Sequence, residues 1–142
     1  MEQAEEKSNI KTIDLQDMVV GKHVYGNLYD MDPKILGDEE YIRNIMLEAV
    51  KKANATLFDV RSWSFPGKKG GVSVLILVLE SHLAIHTWTE YRYATLDIYT
   101  CGPHTHPEAA FDFVVEKLNP KKVVKHKTFR LSNVEAEPLL DY

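Results

Sequence analysis

The sequence predicts an α/β (α+β) fold: a two-layer α/β sandwich in which an antiparallel-rich sheet carries two helices on one face. Gly70-Gly71 opens a run filled by Val72, Val74, Leu75, Ile76, Leu77, Val78 and Leu79, which reads as a strand buried on both faces. Ile42, Ile45, Met46, Ala49, Val50 and Ala53 recur at i, i+3, i+4, i+7, i+8 and i+11, which is one face of a helix. The element order β-α-β-β-β-β-α-β supplies two helices for six strands, too few to cover both faces of a sheet. With both helices on one side, the other face calls for a second subunit, packed sheet to sheet.

The elements follow in order. Residues 1–18 are charge-rich and lack periodicity, and are expected to form a flexible tail. Val19 to Tyr29 alternates loosely among β-formers and reads as the first strand. Asp38 caps a helix running to about Asn54. Ala55 to Phe65 reads as the second strand, and Pro66-Gly67-Lys68-Lys69-Gly70-Gly71 as a turn. Three strands follow: Val72–Leu79, His82–Trp88 and Ala94–Thr100. Thr105 and Glu108 match a capping box, with Pro107 in the first turn, where a missing N–H does no harm. That helix stops at Asn119-Pro120. Lys121 to Arg130 forms the last strand, and residues 131–142 are again tail-like. The folded domain thus spans residues 19–130.

Composition bounds the function. A chain of 142 residues is one domain, long enough to bury a real core. A formal charge of −4 and a pI near 5.8 argue against nucleic acid as a partner. Lys121, Lys122, Lys125, Lys127 and Arg130 fall on an alternating segment and read as a solvated strand face. The single cysteine, Cys101, cannot form an internal disulfide, so a reducing cytoplasm fits. The acidic N-terminus has no apolar signal-peptide core, and no apolar run approaches the ~18 residues of a membrane span.

Chemistry concentrates after the apolar run, in Glu80-Ser81-His82-Leu83-Ala84-Ile85-His86-Thr87-Trp88. The period of two puts His82, Ala84, His86 and Trp88 on one strand face; Thr95, Asp97, Tyr99 and Cys101 share a face of the next strand. If the two strands pair in the right register, Cys101 lies near the Ser81–His86 region. Burying a carboxylate and two imidazoles here is costly unless they are paired. Satisfied core residues are one reading. A metal site is another, with His104 and His106 as further imidazoles. However, His82 and His86 lie roughly 13 Å apart along a strand, too far for one ion. A Ser–His hydrolase lacks its G-x-S-x-G elbow. A fourth reading treats Glu80-Ser81 as a bond. A serine hydroxyl can attack its own preceding carbonyl in a strained turn, and elimination from the resulting ester cuts the chain and leaves a pyruvoyl ketone. Such a ketone forms a Schiff base with an amino acid and acts as an electron sink during loss of CO₂. The reaction needs a base, an oxyanion stabiliser and a proton donor; His86, Ser73 and Cys101 are the right types.

Gly21-Lys22-His23, the Glu80-to-Trp88 block, Tyr93-Ala94 and Thr100-Cys101-Gly102 occur in an order that resembles the short prokaryotic S-adenosylmethionine decarboxylase family, over residues 20–130. The resemblance implies self-cleavage between Glu80 and Ser81 into a β chain of residues 1–80 and an α chain of residues 81–142. Ser81 would become the covalent pyruvoyl group, with no metal or pyridoxal phosphate expected. His86 would be the processing base, Ser73 would act at the oxyanion and Cys101 would protonate the decarboxylated product. The family fold is a two-layer sandwich whose dimer buries sheet against sheet. Asn27 stands where adenosylmethionine enzymes usually carry an acid, and Thr89 where they commonly have proline. The longer turn before Ser73, with Ser62-Trp63-Ser64-Phe65, looks like the archaeal branch that decarboxylates arginine to agmatine. Phe65 falls where family members stack adenine, so adenosylmethionine is the alternative substrate. Asn27, Asp30, Phe65 and Glu90 are the candidate substrate contacts, Asp59 being a further acid suited to a cationic amino acid. Both products would feed polyamine synthesis. An uncleaved, non-catalytic regulatory paralogue is the alternative of a different class.

Overall fold

The computed structural model describes residues 17–136. Its strands are β1 (Val20–Tyr29), β2 (Leu57–Phe65), β3 (Gly71–Val78), β4 (Ser81–Trp88), β5 (Tyr93–Cys101) and β6 (Lys122–Leu131). Its helices are α1 (Pro33–Leu36), α2 (Glu39–Lys52) and α3 (Pro107–Leu118). The strands form one sheet in the order β2-β3-β4-β5-β1-β6, every pair antiparallel. β1 is inserted between β5 and β6, so the two strands flanking it come from the far end of the chain.

The two long helices lie on one face, as the element count requires. α2 begins at Asp38, whose carboxylate accepts from the Tyr41 N–H at 3.1 Å. It buries Ile42, Ile45, Met46, Ala49 and Val50 against alternate residues of the sheet. α3 buries Ala110, Phe111, Val114 and Leu118 over the β5–β1 half. The core between the layers includes Val24, Leu28, Val74, Ile76, Leu83, Ile85, Leu96 and Ile98.

Four expectations change in the fold. β3 is not buried on both faces: Val72, Val74, Ile76 and Val78 meet the helices, but Leu75 and Leu77 are 40% and 51% exposed on the open face. An apolar run on both faces of a strand needs two covers, and one chain supplies one. The short helix α1 was not expected, although Asp32-Pro33 signals it: the Asp32 carboxylate accepts from the Lys34 N–H at 2.9 Å, and proline occupies the first turn. The Thr105–Glu108 capping box does not form. The N-cap is His106, without a side-chain bond, because the Thr105 hydroxyl donates to the Gly102 carbonyl at 2.9 Å. Glu108 instead accepts from Lys125 and Lys127 at 3.0 and 3.2 Å. Lys125 also donates to Asp112 at 2.8 Å, so the cationic residues of β6 are not a merely solvated face.

The ends of the domain are knitted together. The Ser132 N–H donates to the Val19 carbonyl, the Val19 N–H donates to the Ser132 hydroxyl, and Ala136 is buried. The expected tails otherwise fall on residues 1–16 and 137–142, outside the described residues. Among the described residues no helix is long and apolar enough to cross a membrane.

Phe111 is the largest fully buried side chain of the helical layer. Phe111→Ala should cost about 3–5 kcal/mol through lost burial and a residual cavity, read as a lower urea midpoint. A loss under about 1 kcal/mol would contradict the packing of α3.

Candidate active site

β3 and β4 are joined by the tight turn Leu79-Glu80, and β4 pairs with β5 so that Ser81 faces Thr100. This register sets the chemistry at the turn. Cys101, one residue beyond Thr100, donates its backbone N–H to the carbonyl oxygen of Glu80 at 2.8 Å. A donor on that oxygen polarises the carbonyl carbon and stabilises negative charge developing there. Ser81 has φ of 145°, a conformation that glycine tolerates and other residues adopt at a cost of about 1–3 kcal/mol. Pairing on both sides of β4 holds it there.

That backbone conformation brings the Ser81 hydroxyl to the open side of the strand end. Its Oγ lies 3.5 Å from Cys101 Sγ. Cys101 is the lone cysteine and half-buried. Tyr99, two residues earlier on the same face, places its hydroxyl 3.9 Å from the sulfur. The Tyr99 ring lies across Gly21, where any Cβ would come within 2.4 Å of its hydroxyl oxygen; Arg130 sits over the ring at 4.6 Å from the centroid. Burial first, then the Cys101 thiol, pushes the Tyr99 phenol above its ordinary value, against the opposing pull of Arg130.

The Glu80 side chain is also held. Its carboxylate accepts from the Thr56 N–H at 2.9 Å, the Thr56 hydroxyl at 3.3 Å and His104 Nε2 at 2.8 Å. An ionised carboxylate only accepts, so Nε2 of His104 carries the hydrogen. Burial pushes this carboxyl up, but the His104 and Thr56 bonds outweigh it and hold the group below the usual glutamate range.

A second cluster lies elsewhere on the open face. Ser73 and His86 are direct cross-strand partners, and Ser73 Oγ lies 2.7 Å from His86 Nδ1. Beside them is a hollow of about 260 Å³ lined by Asn27, His86, Thr95 and Asp97, among others. Asn27 accepts from the Tyr93 hydroxyl at 3.1 Å, and Asp97 faces His23 at 2.6 Å. Phe65 is 52% exposed at the same end of the sheet, opposite Gly71 on β3. Asp30 and Glu90 occupy exposed turns there, Asp30 with φ of 61°. Asp59 lies toward the other end and pairs with Arg61 at 3.3 Å.

The structure therefore brings together Glu80, Ser81 and Cys101, and separately Ser73, His86 and Asn27. It does not bring His86 or Ser73 to Ser81 within one chain. His86 lies five positions beyond Ser81 along one strand, about 16 Å of rise. Sequence reasoning missed the Cys101 N–H, because a backbone donor leaves no residue signature, and it missed Thr56 and His104. In the sequence His104 stands only as a further imidazole; it is exposed, yet its loop packs back so that Nε2 reaches Glu80, a closure that no local pattern shows.

The fold is shared with a known structure. The crystal structure of the adenosylmethionine decarboxylase from Aquifex aeolicus superposes with a TM-score of 0.69 at 35% identity, over 77% of this chain and 88% of that one. The protein is by class a decarboxylase, a carboxy-lyase on a two-layer α+β sandwich. It belongs to the S-adenosylmethionine decarboxylase family, whose sequence profile matches residues 22–131. Two relatives are each 52% identical and are named arginine decarboxylase proenzyme. The one from Aeropyrum pernix covers 87% of this chain and 96% of its own length. The one from Ignicoccus hospitalis covers 83% and 82%.

Proposed function

We propose that this chain is a pyruvoyl-dependent decarboxylase of the polyamine pathway, which cleaves itself at Glu80–Ser81 and converts L-arginine to agmatine and CO₂. The observation that carries arginine is the 52% identity, over most of both chains, to two proteins named as arginine decarboxylase proenzymes. "Proenzyme" also fits a chain that must be cut before it works.

The local geometry suits self-cleavage. Ser81 Oγ adds to the Glu80 carbonyl carbon, its proton passes to a base and the Cys101 N–H steadies the oxygen. The C–N bond then breaks, the Ser81 nitrogen takes up a proton and an ester joins the two segments. Loss of the Ser81 Cα proton to a base breaks the Cβ–O bond and releases Glu80 as a carboxylate. The dehydroalanine left behind tautomerises to an imine, and water hydrolyses it to a ketone with release of ammonia. The pyruvoyl ketone supplies an electrophile for the substrate amine and a sink for the electron pair left as CO₂ departs. Cys101, 3.5 Å from the Ser81 oxygen, gives the proton to the product carbon. That role needs a reduced thiol, which a reducing cytoplasm maintains.

His86 is the processing base in this reading and Ser73, 2.7 Å from its Nδ1, acts at the oxyanion beside the Cys101 N–H, both side chains supplied by a second copy packed sheet to sheet. Leu75, Leu77 and Trp63 on the open face, all at least 40% exposed, support such a cover. The hollow around Asn27, with Asp30, Phe65 and Glu90 at the same end, is the proposed substrate region. A second substrate reading, adenosylmethionine, is favoured by the exposed Phe65 ring, which is free to stack on an adenine.

The expected results are concrete. Ser81→Ala yields one full-length, inactive species by intact mass, whereas the wild type yields two fragments split at 80–81, the C-terminal one blocked to Edman sequencing. Lasting integrity of the wild-type bond would favour a non-catalytic paralogue. Cys101→Ala still cleaves but loses about 10²-fold or more in kcat; normal turnover would remove Cys101 as proton donor. Co-expressed Ser81→Ala and His86→Ala chains, each inert alone, restore cleavage of the His86→Ala chain if sites are shared between copies, and stay uncut if they are not. Paired assays of CO₂ release from arginine and adenosylmethionine decide the substrate.

A further inference from the structure

The Glu80 side chain is gripped from two directions that converge on the turn to be cut. Thr56, in the connection between α2 and β2, supplies a backbone N–H and a hydroxyl, and its carbonyl accepts from the Leu79 N–H at 3.0 Å. His104, in the connection between β5 and α3, supplies Nε2–H from the other side. The carboxylate is left 11% exposed. On the same residue the carbonyl oxygen is held by the Cys101 N–H. Side chain and carbonyl are thus both fixed, immediately before the positive-φ Ser81.

His104 is itself held in place. Gly102 has φ of +98°, and a Cβ there would meet the imidazole at 2.9 Å, so only glycine lets the ring lie over this position. The Asn54 side-chain amide donates to the His104 carbonyl at 3.0 Å, and the His106 N–H donates to the Ala53 carbonyl at 2.8 Å. The Thr105 hydroxyl donates back to the Gly102 carbonyl at 2.9 Å. The end of α2 and the loop after Cys101 therefore form one rigid frame around Glu80.

We infer that His104 and Thr56 are positioning residues for the self-cleavage. Acting through the Glu80 side chain, they hold the Glu80–Ser81 peptide with its carbonyl on the Cys101 N–H and its serine in the strained conformation. The inference rests on the self-cleaving reading above and deepens it. Neither residue touches the reacting atoms. Without the grip the turn is free to relax, the carbonyl leaves its donor and the attack geometry is populated for a smaller fraction of the time.

The test follows cleavage of freshly refolded full-length precursor by intact mass over time, comparing wild type with His104→Ala, His104→Gln and Thr56→Val. His104→Ala should slow cleavage by about 10- to 100-fold, the loss of one hydrogen bond to a charged group. His104→Gln keeps an N–H donor of similar reach and should recover most of the rate. Thr56→Val removes only the hydroxyl and keeps the shorter backbone bond, so a severalfold loss is expected. Cleavage of His104→Ala at the wild-type rate overturns the inference. So does a glutamine variant no faster than alanine, because a purely structural part for His104 gives no reason for the donor to matter. A wild-type chain that never cleaves overturns the pyruvoyl reading itself, and this inference with it.

Discussion

The antiparallel register between β4 and β5 is the constraint on which the rest of the site depends. Pairing Ser81 with Thr100 sets the Cys101 backbone beneath the Glu80 carbonyl and its sulfur beside the Ser81 hydroxyl. A slip of one residue would turn Cys101 to the helical layer and withdraw its N–H from the bond. The register is held by burial: Leu83 and Ile85 on β4, with Leu96 and Ile98 on β5, must all face the helices. The chemistry at the strand end is thus fixed by packing in the strand middle, and a core several residues away sustains the strain at Ser81.

The second determinant is that the sheet is covered on one side only. Two long helices bury one face, and the other retains an unusual mixture among the described residues: exposed leucines on β3, the histidines His23, His82, His86 and His126, and a row of aromatic rings. Ser73–His86 and Asn27 sit on this face at one end, and Cys101 and Tyr99 toward the other. An open apolar face with reactive groups divided between its ends suits two-fold pairing, because a two-fold axis brings opposite ends of identical surfaces together. Under the proposed function, incomplete coverage and incomplete chemistry in one chain have the same remedy.

Much of this was legible in the residues because it depends on local periodicity. The α2 face from Ile42 to Ala53, the β4 alternation and the Asp38 cap express short-range geometry, and each stands where it was expected. The failures were of a different kind. Leu75 and Leu77 satisfy the pattern of a doubly buried strand, yet pattern alone does not say whether the second cover lies in the same chain. Thr105 and Glu108 match a capping box, but each found a better partner brought by the fold, Gly102 and Lys125 respectively. The helix α1 was overlooked because four residues are too few to show a period.

What the sequence determined by itself is the list of reactive types, the strand and helix order and the resemblance carried by Glu80-Ser81 and Cys101-Gly102. These are properties of neighbours along the chain. Only the tertiary structure decided which groups meet: that Cys101 reaches Ser81, that its backbone N–H holds the Glu80 carbonyl, that His104 folds back onto Glu80 and that His86 does not reach Ser81. Each of these rests on strand register or loop closure between residues twenty or more positions apart, or on the rigid length of a strand. Such long-range pairings are set by the collective burial of one sheet face, which no local pattern encodes.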